Sequence, residues 1–327
     1  MRLGYTLLTE QAGPRALVEH AVRAERVGFD FAVMSDHYSP WLDSQGHAPY
    51  AWSVLGAVAQ ATDRVELMTY VTAPIMRYHP AVVAQKAATV QLLSEGRFLL
   101  GLGAGENLNE HVVGRGWPPV NVRHDMLAEA LRIINDLFDG GYTNFDGEYY
   151  RVDSAKLWDL PEVRPPVGVA VSGDQSVRRF ASLADAMIAV QPEERLCSLW
   201  DAERVAANAE TSRKIGQLPV CWDSDPEAAV ARAHDQFRWF AGGWKVNAEL
   251  PGTQAFAAAT QFVTPADVAA SIPCGADVER VVDAAEPFFA AGFTDLALVQ
   301  IGGEHQGPFL DVAERELLSA LREAAPR

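Results

Sequence analysis

Three acidic or basic side chains in this sequence stand where they could move a proton near neutral pH. Asp36-His37 directly follows an apolar run, and histidine alone among side chains titrates in that range without perturbation. In an enclosed site it can act as a general acid or base. Glu106 follows the stretch Gly101-Leu102-Gly103-Ala104-Gly105, where a carboxylate with little side-chain cover can give or take a proton. Glu10, in Thr9-Glu10-Gln11, adds a second carboxylate that would couple to the first if the two lie close. Each also has a plain structural reading: His37 as a hydrogen-bonded loop residue, Glu106 as a solvated loop carboxylate.

The three glycines are spaced G-x-G-x-G, and no helix pattern opens immediately after them, which excludes a dinucleotide fingerprint. What they offer is close backbone approach to a flat or extended ligand. Ser172-Gly173-Asp174-Gln175-Ser176 reads as a strand end running into a helix start, whose amides could face a phosphate, or as an ordinary turn. Trp41 and Trp52 could wall an aromatic cofactor or simply pack. No metal set emerges, since His37 and His47 lack a third ligand at short range. Cys197, Cys221 and Cys274 are far apart and read as buried thiols.

These residues recur at the ends of apolar runs that alternate with longer segments of helical period, the pattern of βαβ units on a parallel sheet. The runs are Leu3–Leu7, Phe31–Met34, Val65–Val71, Phe98–Leu102, Val167–Val171, Ala186–Val190, Leu218–Trp222 and Leu296–Ile301. A first helix starts near Pro14 and ends at Gly28; further helices are expected over 51–62, 79–94, 122–138, 176–184, 194–210, 226–240, 278–291 and 309–324. Eight strands with their helices predict an α/β fold, a (β/α)8 TIM barrel, as one domain over 1–327. Two long connections interrupt it, one from Glu106 to Val120 and an inserted segment over 241–276 between strands seven and eight, near the active-site mouth. Strand ends at the mouth are where such barrels keep their chemistry.

Composition narrows the partners. With 43 acidic and 27 basic residues, the formal charge of −16 disfavours nucleic acid and anionic membranes. No run approaches the ~20 apolar residues of a membrane span, and the chain opens directly into a strand rather than a signal peptide. A cytoplasmic protein acting on a small molecule is expected.

At the strand ends the sequence resembles the luciferase-like barrel superfamily, in its branch of coenzyme F420-dependent oxidoreductases related to the F420-dependent glucose-6-phosphate dehydrogenases. The resemblance rests on Leu3-Gly4-Tyr5, Ser35-Asp36-His37-Tyr38-Ser39-Pro40-Trp41, Gly46-His47-Ala48-Pro49, Arg77-Tyr78-His79-Pro80-Ala81-Val82-Val83-Ala84-Gln85 and Gly103-Ala104-Gly105-Glu106-Asn107-Leu108-Asn109-Glu110. It implies that His37 and Glu106 are the catalytic acid–base pair, that Trp41 and Glu10 line the reaction face, and that Asp36 lies beside the deazaflavin. It also implies a non-prolyl cis peptide at Tyr70-Val71, with Ala73 nearby, behind the ring. Ala104, Gly105, Asn109, Ser172, Gly173, Gln175 and Ser176 match positions that hold the cofactor's ribityl and phosphate tail. The cofactor implied is F420, with flavin mononucleotide (FMN) on a monooxygenase of the same barrel as the alternative; a homodimer is the expected assembly.

The substrate pattern departs from that branch. Sugar-phosphate members place a threonine and then a lysine past strand six, where this chain has Val190 and Glu193, and no lysine or arginine occurs between Lys245 and Arg280. A phosphate dianion would meet a carboxylate in place of a cation. Trp239, Trp244, Phe256 and Phe262 point to an apolar pocket formed with the insertion, or to packing of that segment. The expectation is hydride transfer to or from an uncharged alcohol or its carbonyl, with a sugar-phosphate dehydrogenase of rearranged phosphate site as the alternative.

Overall fold

A computed structural model describes residues 1–209 and 212–326. The last residue of the helix expected over 194–210, and residue 327 of the expected domain, lie outside them. Among the described residues ten strands form: β1 (Arg2–Leu7), β2 (Phe31–Met34), β3 (Glu66–Thr69), β4 (Phe98–Leu102), β5 (Thr143–Asp146), β6 (Arg151–Ala155), β7 (Val167–Ala170), β8 (Ala186–Ile188), β9 (Arg213–Val220) and β10 (Asp295–Gln300). Eight of them close a parallel barrel in the order β1-β10-β9-β8-β7-β4-β3-β2. The seam is the register Arg2↔Asp295 through Tyr5↔Leu298. Apolar side chains inside and outside the staves explain the continuous apolar runs: Phe31, Val33, Met68, Leu99, Ile188 and Ile215 fill the lumen.

The floor of the barrel is an ionic clamp. Arg2 lies 3.1 Å from Glu66 and 3.5 Å from Asp295; Arg213 lies 2.7 and 2.6 Å from the same two carboxylates. Both guanidinium groups sit over the ring of Phe31, at 5.6 and 6.0 Å. This clamp explains one boundary. β9 begins at Arg213, five residues before the expected start, because its first turns are polar residues serving the floor.

The helices follow in chain order: α1 (Pro14–Val27), α2 (Ala51–Ala61), α3 (Pro80–Leu93), α4 (Asn107–Glu110), α5 (Val120–Phe138), α6 (Asp174–Phe180), α7 (Glu194–Ala206), α8 (Pro226–Phe237), α9 (Trp244–Asn247), α10 (Thr253–Ala259), α11 (Pro265–Ser271), α12 (Val278–Ala290), α13 (Gln306–Val312) and α14 (Leu318–Ala324). The last expected helix is split by a π turn over Ala313–Leu317. The antiparallel hairpin β5–β6 was not expected; the pair Asp146-Gly147 is the turn signal that marks it. The inserted segment is helical rather than a bare loop. Its α11 packs with α8 over a small core of Cys221, Phe237, Val268, Ile272, Cys274 and Ile301. The backbone ties it to the barrel, with Cys221 N–H donating to Pro273 O and Gly275 N–H to Cys221 O. All three cysteines are buried and free. No described helix is long and apolar enough to cross a membrane.

Candidate active site

Glu10 follows β1, His37 follows β2 and Glu106 follows β4, so three strand ends place one imidazole between two carboxylates. His37 Nδ1 lies 2.5 Å from Glu10 Oε1, and its Nε2 lies 3.2 Å from Glu106 Oε1. Glu10 is fully buried, and its second oxygen accepts from Ser35 Oγ at 2.6 Å and Thr9 Oγ1 at 3.2 Å. Glu106 accepts from Asn109 Nδ2 at 2.6 Å. Asn109 Oδ1 in turn accepts the backbone N–H groups of Tyr38 and Ser39 at 2.7 and 2.9 Å, which locks the β4 loop to the chain just after His37.

Burial alone would lower the pKa of His37, but Glu10 and Glu106 outweigh it and push the imidazole up to about 10. Burial also opposes ionisation of the two carboxylates. The charge of His37 overrides it and holds both below their ordinary values. At neutral pH the constellation is therefore an imidazolium clasped by two carboxylates.

A cavity opens in front of this group at the mouth of the barrel. Of the residues expected in the site, Glu10, His37, Trp41, Tyr70, Val71, Ala104, Gly105, Glu106, Ser172, Ser176 and Val190 line it. Asp36, Ala73, Asn109, Gly173, Gln175 and Glu193 do not. Asp36, expected beside the cofactor ring, is turned away. Its carboxylate accepts from Trp52 Nε1 at 3.0 Å, Thr72 Oγ1 at 2.7 Å and Tyr78 OH at 3.2 Å, while Arg77 donates to its carbonyl at 2.5 Å. It anchors the end of β2 from behind, and Trp52 is consumed in that anchoring. Glu193 sits outside the cavity, 3.4 Å from Arg195.

One wall is built to lie against a flat molecule. The Tyr70–Val71 peptide is cis, as the resemblance implies. A Cβ on Gly103 would come within 2.6 Å of Val71 Cγ2, and Gly105 has φ +70° with Ala73 and Glu110 both 3.1 Å from where its Cβ would be. Only glycine fits both places. With Ala104 and Ala170 alongside, the wall is shallow and apolar, and a planar ring system fits it.

The opposite wall joins Trp41, from the loop after β2, to the chain after β9. Trp41 meets His37 edge-on at 5.1 Å and stacks on Trp239 at 4.2 Å with 11° between planes; Phe256 packs edge-on behind it at 5.1 Å. Trp239 and Trp244 line the cavity. Phe256 is fully buried, and Phe262 is 84% exposed, so the four expected aromatics divide into wall, core and surface. Among the described residues no lysine or arginine lines the cavity. His124, Gln191, Gln217 and Asn247 also line it and were not expected. Their signal is weak, because each sits inside a helix, a strand or a loop where a polar residue needs no special reason.

The family profile described as luciferase-like monooxygenase matches residues 1–295. The chain belongs to that family. The motifs at the strand ends had implied as much, and the closed barrel agrees with it. Within the family, F420-dependent glucose-6-phosphate dehydrogenases of Nocardia farcinica and Kribbella flavida are 33% and 35% identical to it, over 99% and 98% of both chains respectively. Among solved structures, an F420-dependent secondary alcohol dehydrogenase in complex with an F420-acetone adduct aligns with 98% of this chain and 99% of its own. That alignment has a TM-score of 0.87 at 27% identity.

Proposed function

We propose that this member of the luciferase-like family is an F420-dependent oxidoreductase that exchanges a hydride with an uncharged alcohol or its carbonyl partner. The curated relatives and the alcohol dehydrogenase structure support the cofactor, and the shallow wall of Val71, Gly103, Ala104 and Ala170 suits its ring. The observation that carries the substrate class is the cavity lining. It combines the imidazolium–carboxylate group with tryptophan and valine surfaces and holds no lysine or arginine to receive a phosphate.

When bound, a 5-deazaflavin supplies two-electron hydride chemistry and little reactivity toward oxygen. The chain supplies the protons. His37, held protonated by its two carboxylates, presents Nε2 to the gap beside Glu106 and can donate to an oxygen placed there; in the oxidising direction it must first lose that proton. Glu106 serves the proton exchanged on the cofactor side. Glu10, pinned by Ser35 and Thr9, fixes the Nδ1 face so that the ring cannot turn. Trp41 and Trp239 keep water from the reacting face.

The test begins with titration of the apo-protein by oxidised F420 and by FMN, followed by the quenching of tryptophan fluorescence. Tight binding of F420 with weak FMN binding is expected; the reverse would place the protein with the oxygen-using members. Turnover is then compared between a neutral secondary alcohol and glucose 6-phosphate. At least a 100-fold preference for the alcohol in kcat/KM is expected, about 2.7 kcal/mol. Robust glucose 6-phosphate turnover refutes the substrate class.

A further inference from the structure

Among the described residues, His124 and Tyr70 are the titratable residues lining the cavity that the proton chemistry above does not use, and His124 is the one on a helix. It is carried by α5 and partly buried, with its ring edge-on to Phe180 of α6 at 5.5 Å. Among the described residues its ring nitrogens have no hydrogen-bond partner. The helix that carries Phe180 begins just after Ser172, and Ser172 and Ser176 belong to the same cavity lining.

That side was expected to hold a phosphate with the amides around Ser172–Ser176. The structure commits several of those groups to one another. Ser176 Oγ donates to Gly173 O at 2.7 Å and accepts the amides of Ser172 and Gly173 at 3.2 and 3.3 Å. The imidazole of His124, with no such bond, is a side-chain donor still free on this lining. Its electrostatic setting also favours an anion. After burial, the influences on its pKa are Arg179 and Arg123, both cationic and both lowering it. Arg179 is paired with Asp125 and Arg123 with Glu249, so neither side chain is free to take the role itself.

We propose that His124 is a binding residue for a phosphodiester, donating a ring N–H to a non-bridging oxygen of the tail of the deazaflavin cofactor. This rests on the reading of the cofactor as F420. An anion there would favour the protonated ring and convert one donor into two.

The experiment titrates apo wild type, His124→Phe and His124→Gln with F420 and, separately, with the tail-less deazaflavin riboside. His124→Phe should weaken F420 about tenfold, about 1.4 kcal/mol, and leave the riboside within twofold. His124→Gln, which keeps an N–H donor, should recover part of the loss. Equal weakening of both ligands means a packing role against Phe180 and overturns the proposal, as does no effect on either. A binding assay with glucose 6-phosphate separates the other source of a phosphate group: a loss confined to it, with F420 unaffected, also overturns the proposal. Failure of the wild type to bind either deazaflavin overturns the cofactor reading as well, and is seen before any substitution is made.

Discussion

The two halves of the barrel contribute to the cavity in opposite ways. Among the described residues, every titratable residue in its lining comes from the half that runs from β1 to α5: Glu10, His37, Tyr70, Glu106 and His124. The half from β7 to β10, with its insertion, supplies valines, alanines, tryptophans and neutral amides. The catalytic groups of the first half are held by interlocking hydrogen bonds from Ser35, Thr9 and Asn109. The second half presents Trp239 and Trp244 on short helical turns, and Trp239 stacks on Trp41 of the first half. On the proposed function, reaction type and substrate choice fall mainly to separate stretches of chain, and substitutions in one should largely spare the other.

The division is broken most easily at Glu106. Glu106→Gln should lower single-turnover hydride transfer about 10²-fold or more, the range for removing a positioned acid or base, with F420 affinity held within a few-fold. An unchanged rate would remove Glu106 from the chemistry. The aromatic wall is tested through stability. Phe256→Ala, at a fully buried ring behind Trp41, should cost about 3–5 kcal/mol in denaturant unfolding. Phe262→Ala, at a surface ring of the same insertion, should cost under about 0.5 kcal/mol. Similar losses would mean that Phe262 packs on something in solution.

The pH profile sharpens the contrast further. With the His37 pKa raised to about 10, the protonated form dominates below that value and the neutral form appears only as pH approaches it. Alcohol oxidation, which needs the neutral ring, should rise about tenfold per pH unit and level off near 10. Carbonyl reduction should stay flat and fall above it. A shared optimum near pH 7 would contradict the double carboxylate clasp. The smallest expected effect lies in the second half: Gln217→Leu, at a cavity amide that donates to Thr6 Oγ1 at 3.1 Å, should shift KM while the single-turnover rate stays within about threefold.

Legibility in the sequence followed the same divide. Seven of the strand-like runs coincide with staves to within a few residues, because a stave buried on both faces must be apolar throughout. The start of β9 differs from the expected one because Arg213 at the floor, Lys214 paired with Asp201 of α7 and Gln217 at the cavity interrupt that signal. His37 and Glu106 stood out as polar residues directly after apolar runs. Asp36 stood out in the same way, yet faces away, since a residue adjacent to His37 on a strand end points to the opposite side. His124 was invisible for a related reason. Within a helix, one histidine among polar neighbours carries no mark of which cavity the helix passes.

The clamp beneath the barrel has a consequence for how the chain is made. Arg2 meets Asp295 across the seam, and β1, which leads into Glu10, gains its second neighbour only when β10 arrives. Synthesis delivers that strand last, after nearly every other element is available to fold. Until then the sheet is an open sector with an unpaired margin on β1. The group of Glu10, His37 and Glu106, encoded within the first third of these residues, therefore stands on a sheet whose closure waits for a strand nearly two hundred residues further along the chain.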